Sequence, residues 1–155
     1  MSEARGAQAL QYRRATVADV PRMARSRESD ATAGPADPRM AAYLDGRHHP
    51  RLALEPRVAY VALEGDAVVG YIAGHLTTRY DCDGELQYLF VAREHRRQGV
   101  ASALLRLLRG WFGEHHAVRI CVDVEPGNVA GRAFYAANGA TPLNSGWLVF
   151  TEAER

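Results

Sequence analysis

The stretch LQYLFVAREHRRQGVASALLRLL, residues 86–108, decides the fold of this chain. Its first part is an apolar run rich in β-forming residues, and it predicts a buried strand that ends near Val91. A polar link from Ala92 to Gln98 follows and carries three arginines. Apolar residues then recur with helical period, at Val100, Leu104, Leu107, Leu108 and Trp111. The pattern predicts a strand that passes through a basic loop into a helix opening at Gly99.

The start of this helix is a candidate anion site. The first turn of a helix has backbone N–H groups without intrahelical partners, and the macrodipole adds partial positive charge there. Gly99 allows a ligand to approach the backbone, and Arg96, Arg97 and Gln98 can add charge and hydrogen bonds. The alternative is an ordinary connection with solvated arginines. ATP-type and dinucleotide loops are excluded, because Lys and Ser/Thr do not follow Gly99 and only one glycine is present.

Strand patterns flank this segment on both sides. Gly70 and Gly74 in one of the predicted strands allow a bulge or a close backbone approach. The strand after the central helix is expected to pair in parallel with the strand before it, because a helix connects the two. The predicted strands are Leu10–Ala15, Arg57–Leu63, Ala67–Thr77, Val118–Val124 and a final hairpin over Thr141–Thr151, with turns at Glu64–Asp66, Asp81–Gly84 and Asn144–Gly146.

Two further helices are predicted before the first hairpin. Thr16, with Asp19 three residues on, can cap a helix that runs to about Glu28. A short helix over Arg39–Leu44 is expected to end at Gly46. The segments Ser29–Pro38 and Arg47–Pro56 are rich in breakers and are predicted to be loops.

The composition indicates one folded domain. The chain has 155 residues and a mass of 17.0 kDa, and we predict a single domain over residues 1–155 with residues 1–9 as a flexible tail. The net charge of +1 argues against nucleic-acid and membrane partners. Two cysteines, without a signal peptide or a long apolar span, predict a cytoplasmic protein. Asp81, Cys82 and Asp83 have no matching His or Cys cluster at ligand spacing, so no metal is expected.

The segment Arg96–Ala101, RRQGVA, resembles the (Gln/Arg)-x-x-Gly-x-(Gly/Ala) pyrophosphate loop of the GNAT superfamily of acetyl-CoA-dependent N-acetyltransferases. The preceding Leu89-Phe90-Val91 is similar to the fourth strand of that family. One departure is Arg97, where many members carry glycine. The resemblance implies that acetyl-CoA is the co-substrate and that its pyrophosphate binds the amides from Arg97 to Ser102.

A second motif lies near the C-terminus. Asn128 can cap a helix that runs to about Asn138 and stops at Gly139. The run Asn128…Ala133-Phe134-Tyr135…Gly139 resembles the family motif Asn-x-x-(small)-x-x-(apolar)-Tyr-x-x-x-Gly, which implies that Asn128 holds the pantetheine side and Tyr135 protonates the leaving thiolate. Helical spacing places Asn128, Arg132 and Tyr135 on one face and Ala130, Phe134 and Ala137 on the opposite, core face.

The resemblance implies a GNAT-like α/β fold, with a central mixed, mostly antiparallel sheet of about seven strands and about four flanking helices. The function it implies is transfer of the acetyl group of acetyl-CoA to a primary amine of a small molecule or protein. Transfer of a larger acyl group and a non-catalytic acyl-CoA-binding sensor or scaffold remain as alternatives. A homodimer is often found in this family, and the apolar residues 147–150 can be buried in one or in the monomer core. The implied cofactor-binding residues are Leu89, Phe90, Val91, Arg96, Arg97, Gln98, Gly99, Val100, Ala101, Ser102, Asn128 and Arg132.

Amine acetylation needs a base, because a Lys-like ammonium has a pKa of about 10.4 and must lose a proton before it attacks. We favour Glu85, which begins the central strand fourteen residues before Gly99, as the catalytic glutamate does in protein-lysine members of the family. Period-two counting places Glu85 on one face with Gln87, Leu89 and Val91. Asp83, His75 and a water held by Gln87 remain open as the base.

The other requirements concern the carbonyl oxygen and the leaving group. Backbone N–H groups near Phe90 and Val91 are the expected donors to the oxygen as it gains charge. The thiolate has a pKa of about 8.5 and can take a proton from a tyrosine with a pKa of about 10, here Tyr135. Neither Cys82 nor Cys121 is placed as an acyl acceptor, so we expect direct attack in a ternary complex.

Overall fold

The computed structural model describes residues 9–30 and 38–152. The strands, in chain order, are β1 (Gln11–Arg14), β2 (Ala53–Glu64), β3 (Ala67–Thr77), β4 (Gly84–Val91), β5 (Arg119–Asp123), β6 (Thr141–Asn144) and β7 (Trp147–Thr151). The helices are α1 (Val20–Glu28), α2 (Met40–Leu44), α3 (Val100–Glu114) and α4 (Val129–Ala137). Most of the predicted tail and of the predicted loop after Ser29 falls on residues 1–8 and 31–37, outside the described part.

One sheet contains all the strands of the described chain, in the order β1-β2-β3-β4-β5-β7-β6. The β4–β5 pair is parallel, and α3 connects its two strands. Every other neighbouring pair is antiparallel. The predicted mixed, mostly antiparallel sheet and its flanking helices are therefore confirmed.

The sheet carries a hydrophobic core on each face. On one side α3 buries a stripe of helical period: Val100, Leu104, Leu105, Leu108, Trp111 and Phe112. Leu107, which the pattern also assigned to this stripe, is only partly buried. On the other side Met23 of α1 and Met40 of α2 pack with Tyr71 and Phe90 of the sheet. The central strand β4 is thus covered on both faces.

Local signals place most element boundaries correctly. The backbone N–H of Thr16 donates to Asp19 Oδ2 at 2.8 Å, as expected for a cap. Gly46 and Gly139 have positive φ after their helices, as a C-terminal stop requires. β2 starts at Ala53, four residues before the predicted start, because Ala53 and Leu54 pair with the far end of β3.

The predicted core face of α4 is wrong. Ala130 and Ala137 are exposed, whereas Tyr135 is buried and Phe134 is partly buried. The ring of Tyr135 packs edge-on against Phe150 of β7, with 5.9 Å between ring centroids. A tyrosine ring offers much more apolar area than alanine methyl groups, so the helix turns its aromatic side towards the sheet.

The predicted face of Glu85 is also wrong, because β4 has a bulge. Residues 73 and 74 of β3 pair with Tyr88 and Leu86, so Gln87 is an extra residue on β4. An extra residue reverses the alternation of side chains beyond it. Leu89 and Val91 therefore pack with Leu86 on the α3 side, while Glu85 lies on the opposite face.

The apolar residues of the final hairpin are buried within the chain itself. Leu148 and Phe150 belong to the core beneath α3, and Val149 packs with Cys82 and Cys121. Most of the surface on which the homodimer was predicted is therefore covered in the monomer, although Trp147 is only partly buried. The homodimer itself stays a prediction.

Gly84 and Gly110 provide a matched test of the packing between the sheet and α3. A Cβ added at Gly84 would overlap the ring of Phe112, at 2.7 Å from Cδ1, whereas a Cβ at Gly110 has no neighbour within 4 Å. We expect Gly84→Ala to lower the free energy of unfolding by about 1–3 kcal/mol through overpacking. Gly110→Ala, in the interior of α3, is expected to raise it by about 0.5–1 kcal/mol.

Urea unfolding of both variants and the parent measures these changes. Equal stability of Gly84→Ala and the parent would contradict the close approach of Phe112 to β4. Gly110→Ala controls for the general effect of replacing glycine by alanine.

Candidate functional site

A cavity opens where the pairing of β4 with β5 stops. Residues 84–86 of β4 pair with residues 120–122 of β5, and no further pair follows between these strands. The cavity has a volume of about 550 Å³, within the usual range for ligand sites. Its lining includes consecutive β4 residues Glu85, Leu86, Gln87, Tyr88 and Leu89, with Val122, Asp123 and Val124 opposite and Asn128, Tyr135, Arg79 and Trp147 at its sides.

The far half of β4 presents backbone groups to this opening. The N–H of Ala92 donates to Val69 O on β3 at 2.8 Å, so Phe90, two residues earlier, also directs its backbone towards β3. Leu89 and Val91 alternate with it and direct theirs to the opposite edge, where β5 no longer pairs. Of the two residues predicted to supply oxyanion donors, Val91 therefore lies at the open edge, together with Leu89.

The loop after β4 collects backbone donors at the start of α3. Arg97 and Gly99 both have left-handed backbone angles, with φ of 62° and 83°. Arg97 thus adopts the conformation for which glycine is favoured, despite its side chain. The N–H of Ala103 donates to Gly99 O at 3.0 Å, but no backbone carbonyl of the described residues accepts from the N–H groups of residues 97–102. This geometry suits an anion.

Two side chains of the predicted anion site hold the loop in place. Arg96 Nε donates to Val91 O at 3.0 Å, and its Nη2 donates to the buried carboxylate of Asp30. Gln98 Nε2 donates to Glu94 O at 3.0 Å. These side-chain contacts do not use the backbone N–H groups of residues 97–102, which therefore remain able to donate to a ligand.

The second motif lies on the opposite wall of the cavity. Asn128 caps α4, since its Oδ1 accepts from Gly131 N at 2.9 Å. Arg132 Nη1 donates to Val124 O at 3.1 Å, which ties α4 to the end of β5. Asn128 and Tyr135 line the cavity together, and Arg132 holds their helix against the end of β5.

Tyr135 is a buried phenol that lines the cavity. It is 7% exposed, and its ring lies between Phe134 and Phe150. Burial raises the pKa of Tyr135 above its usual value, because the phenolate would be poorly solvated there. The hydroxyl therefore keeps its proton at neutral pH and can donate it.

Glu85 is a buried carboxylate held at one oxygen. It is 4% exposed. Its Oε1 accepts from Arg79 Nε at 3.0 Å and lies 3.6 Å from Nε2 of His75. Its Oε2 accepts no hydrogen bond from the described residues. Glu85 and Tyr135, the predicted acid–base pair, thus line the same cavity.

The other candidates for the catalytic base have different surroundings from Glu85. Asp83 Oδ2 accepts from the backbone N–H groups of Val118 and Arg119, so this carboxylate fixes the start of β5. His75 is fully buried, with Nδ1 2.8 Å from the hydroxyl of Tyr43. Gln87 lines the cavity, and its buried Oε1 has no hydrogen-bond partner among the described residues.

Sequence reasoning missed three side chains of this site. Arg79 reaches Glu85 from the turn after β3 and lies over the ring of Trp147, 4.9 Å from its centroid. Asp123 lies at the end of β5; partial desolvation raises the pKa of its carboxyl, and the negative charge of Glu85 adds to the rise. The sequence did contain a signal for Arg79. The connection between β3 and β4 is short, so a residue in it must lie close to residue 85 at the start of β4.

Both cysteines are unsuited to nucleophilic catalysis. Cys82 and Cys121 are buried, and burial raises the pKa of both thiols. In the described part of the chain no group of three or more His, Cys, Asp or Glu side chains can hold a metal ion. No described helix has both the length and the apolar character needed to cross a membrane.

Comparisons with known proteins agree with this architecture. Similar solved structures include the ribosomal-protein-S18-alanine N-acetyltransferase of Escherichia coli (TM-score 0.70, 14% identity, 95% of this chain and 96% of that chain). An acetyltransferase from Thermus thermophilus gives a TM-score of 0.71 at 23% identity, over 92% of this chain and 97% of that chain. The PaiA N-acetyltransferase of Thermoplasma acidophilum, in complex with coenzyme A, gives 0.69 at 16% identity, over 94% and 99%. At such identities these likenesses show the fold.

A search by sequence among curated proteins finds no match. The sequence profile of the Acetyltransferase (GNAT) family, however, matches residues 22–140, which span most of the sheet, both predicted motifs and the cavity between β4 and β5. The chain therefore belongs to the GNAT acetyltransferase family and is an acyltransferase.

Proposed function

We propose that the protein transfers the acetyl group of acetyl-CoA to a primary amine of a small molecule or protein, by direct attack in a ternary complex. One observation carries this proposal: a single cavity brings Glu85 from β4 and Tyr135 from α4 together beside the open edge of β4. A protein that only bound acyl-CoA would need neither group. An amine panel, with release of free thiol as the readout, tests the activity and identifies the acceptor.

The residues present fit acetyl-CoA, which supplies an activated thioester when bound. The donor-rich start of α3 suits its pyrophosphate, since the N–H groups of residues 97–102 lack backbone acceptors within the described chain. The open edge of β4 at Leu89 and Val91 suits the amide groups of its pantetheine arm. The orphaned Oε1 of Gln87 adds an acceptor inside the cavity.

Glu85 is the proposed base, acting directly or through a water. Its Oε1 is engaged by Arg79, whereas Oε2 has no donor among the described residues and is free to receive a proton from the amine. This geometry favours Glu85 over Asp83, which is not among the residues that line the cavity and whose Oδ2 accepts from two backbone N–H groups.

Tyr135 is the proposed acid. Its phenol carries its proton at neutral pH and lines the cavity, so it can donate to the thiolate that leaves. Direct attack is favoured over an acyl-enzyme, because the buried thiols of Cys82 and Cys121 have raised pKa values and carry no thiolate. Transfer of a larger acyl group remains a second candidate, and acyl-CoA chain-length preference distinguishes it.

Gly99→Glu tests the cofactor site. A Cβ at Gly99 meets nothing within 4 Å, so the new side chain has room, but its carboxylate lies on the amides proposed to bind pyrophosphate. We expect acetyl-CoA binding to be lost in calorimetry. Gly99→Ala is the matched control, since it adds only the strain of φ at +83° and is expected to retain binding. Unchanged affinity of a folded Gly99→Glu variant would refute the site.

Tyr135→Phe tests the acid. The substitution keeps the ring and its packing, so acetyl-CoA affinity should barely change, while turnover should fall by about 10²–10³-fold if protonation of the thiolate limits the rate. Tyr60→Phe removes a hydroxyl elsewhere in the sheet and is expected to keep the parent rate. Wild-type turnover of Tyr135→Phe, with chemistry limiting, would rule out this role.

Glu85→Gln tests the base through its pH profile. The loss of rate should be largest at low pH and should shrink as the amine deprotonates by itself, near its pKa of about 10.4. Glu114→Gln, at the exposed end of α3, serves as the control. A Glu85→Gln profile that overlays the parent profile would remove Glu85 from the mechanism.

A further inference from the structure

His75 occupies an unusual position for a buried polar side chain. It is 0% exposed, and only its Nδ1 has a hydrogen-bond partner, the hydroxyl of Tyr43 at 2.8 Å. Its Nε2 has no hydrogen-bond partner among the described residues. Nε2 faces a carboxylate oxygen, Oε1 of Glu85, at a distance of 3.6 Å. Leaving a buried donor unsatisfied costs about 1–3 kcal/mol, so this arrangement needs an explanation.

The contact with Tyr43 decides which nitrogen of His75 carries the proton. If Nδ1 carried it, the lone pair of Nε2 would point at a carboxylate oxygen, which is repulsive. If the Tyr43 hydroxyl donates to Nδ1, the proton lies on Nε2 and points at Glu85. Burial raises the pKa of Tyr43, so its hydroxyl keeps the proton that it donates. The second tautomer therefore makes a hydrogen bond at Nδ1 and an electrostatic attraction between Nε2–H and Glu85 Oε1 across 3.6 Å.

Glu85 Oε1 then lies between two donors on different elements. Arg79 approaches from the turn after β3, at 3.0 Å, and His75 approaches from β3 itself, at 3.6 Å. Both contacts hold Oε1, and Oε2 of this cavity-lining residue accepts no hydrogen bond from the described residues. We propose that His75, with its tautomer set by Tyr43, is a positioning residue that holds Glu85 so that Oε2 meets the acceptor amine. This inference rests on the proposed function.

A positioning donor must change the pH profile in a definite direction. An N–H group that faces the carboxylate stabilises its charged form, so its removal is expected to move the acid limb of the rate to higher pH. Arg79 stays in every variant and preserves the ion pair. The titratable and charged groups that face Glu85 are His75 on β3, Arg79 in the turn, Tyr43 on α2, and Cys121 and Asp123 on β5.

Two substitutions at His75 separate its two contacts. In His75→Asn the amide oxygen can lie near the position of Nδ1 and accept from the Tyr43 hydroxyl, but no donor faces Glu85. In His75→Gln the amide nitrogen reaches the position of Nε2 and restores that donor. We expect His75→Asn to move the acid limb of kcat/KM for the acceptor up by about one pH unit, a loss of about tenfold below the limb. His75→Gln should move it less, and the KM for acetyl-CoA should stay unchanged in both.

His95→Asn is the matched control, because Nε2 of His95 lies 3.2 Å from Glu64 Oε2, in a second His–Glu pair away from the cavity. Its acid limb should stay in place. If His75→Asn does not fold, Tyr43→Phe takes over the test, since it removes the donor that sets the tautomer and should move the limb in the same direction.

The outcomes separate this inference from the proposed function. Equal shifts in His75→Asn and His75→Gln would overturn it, because loss of packing alone would explain them. The inference would also be overturned if His75→Asn and Tyr43→Phe had the same pH–rate profile as the parent while Glu85→Gln lost its acid limb. The proposed function would stand in that case. If Glu85→Gln overlays the parent, the base assignment fails and this inference falls with it.

Discussion

β4 and β5 are held together by only three residue pairs, from Gly84 to Leu86 on β4. The helix that connects them, α3, packs Phe112 over Gly74 and Gly84, where a Cβ would lie 3.1 and 2.7 Å from ring atoms. These glycines bring the helix close to the sheet where the strands pair. The bulge at Gln87 follows directly, and beyond it β4 faces a cavity instead of β5. The site thus arises because one parallel pair closes the sheet at one end only.

The early end of that pairing leaves polar groups inside the protein with incomplete partners. Buried polar atoms normally find hydrogen bonds, because an unsatisfied one lowers stability. Here Glu85 Oε1 and His75 Nδ1 have partners, while the buried atoms Gln87 Oε1 and His75 Nε2 have no hydrogen-bond partner in the described chain. Natural proteins tolerate such violations mainly at functional sites. Gln87 lines the cavity, so its unsatisfied oxygen is an acceptor that a substrate can use.

The sequence predicted what local signals encode. The strand, the basic loop and the helix at Gly99 form one contiguous pattern, and the caps at Thr16 and Asn128 lie within three residues of their partners. The bulge at Gln87 could not be predicted, because it depends on the register between β3 and β4. Arg79 over Trp147 was missed for the same reason, since these residues lie 68 positions apart in the chain and meet only in the folded sheet. Local sequence patterns were enough to propose Glu85 and Tyr135 as base and acid. Their surroundings depend on residues that are distant in the chain.

The inward turn of Tyr135 contradicts the predicted core face of α4 and also brings the side chain to the cavity. On the solvent face, water would reach the leaving thiolate as easily as a phenol could, and the tyrosine would add little. Burial between Phe134 and Phe150 excludes water from one side and raises the pKa of the hydroxyl. A phenol that keeps its proton and faces the cavity is then the donor at hand for a thiolate with a pKa of about 8.5. The apolar contacts that turn the helix inward therefore place the phenol hydroxyl at the cavity, next to the open edge of β4.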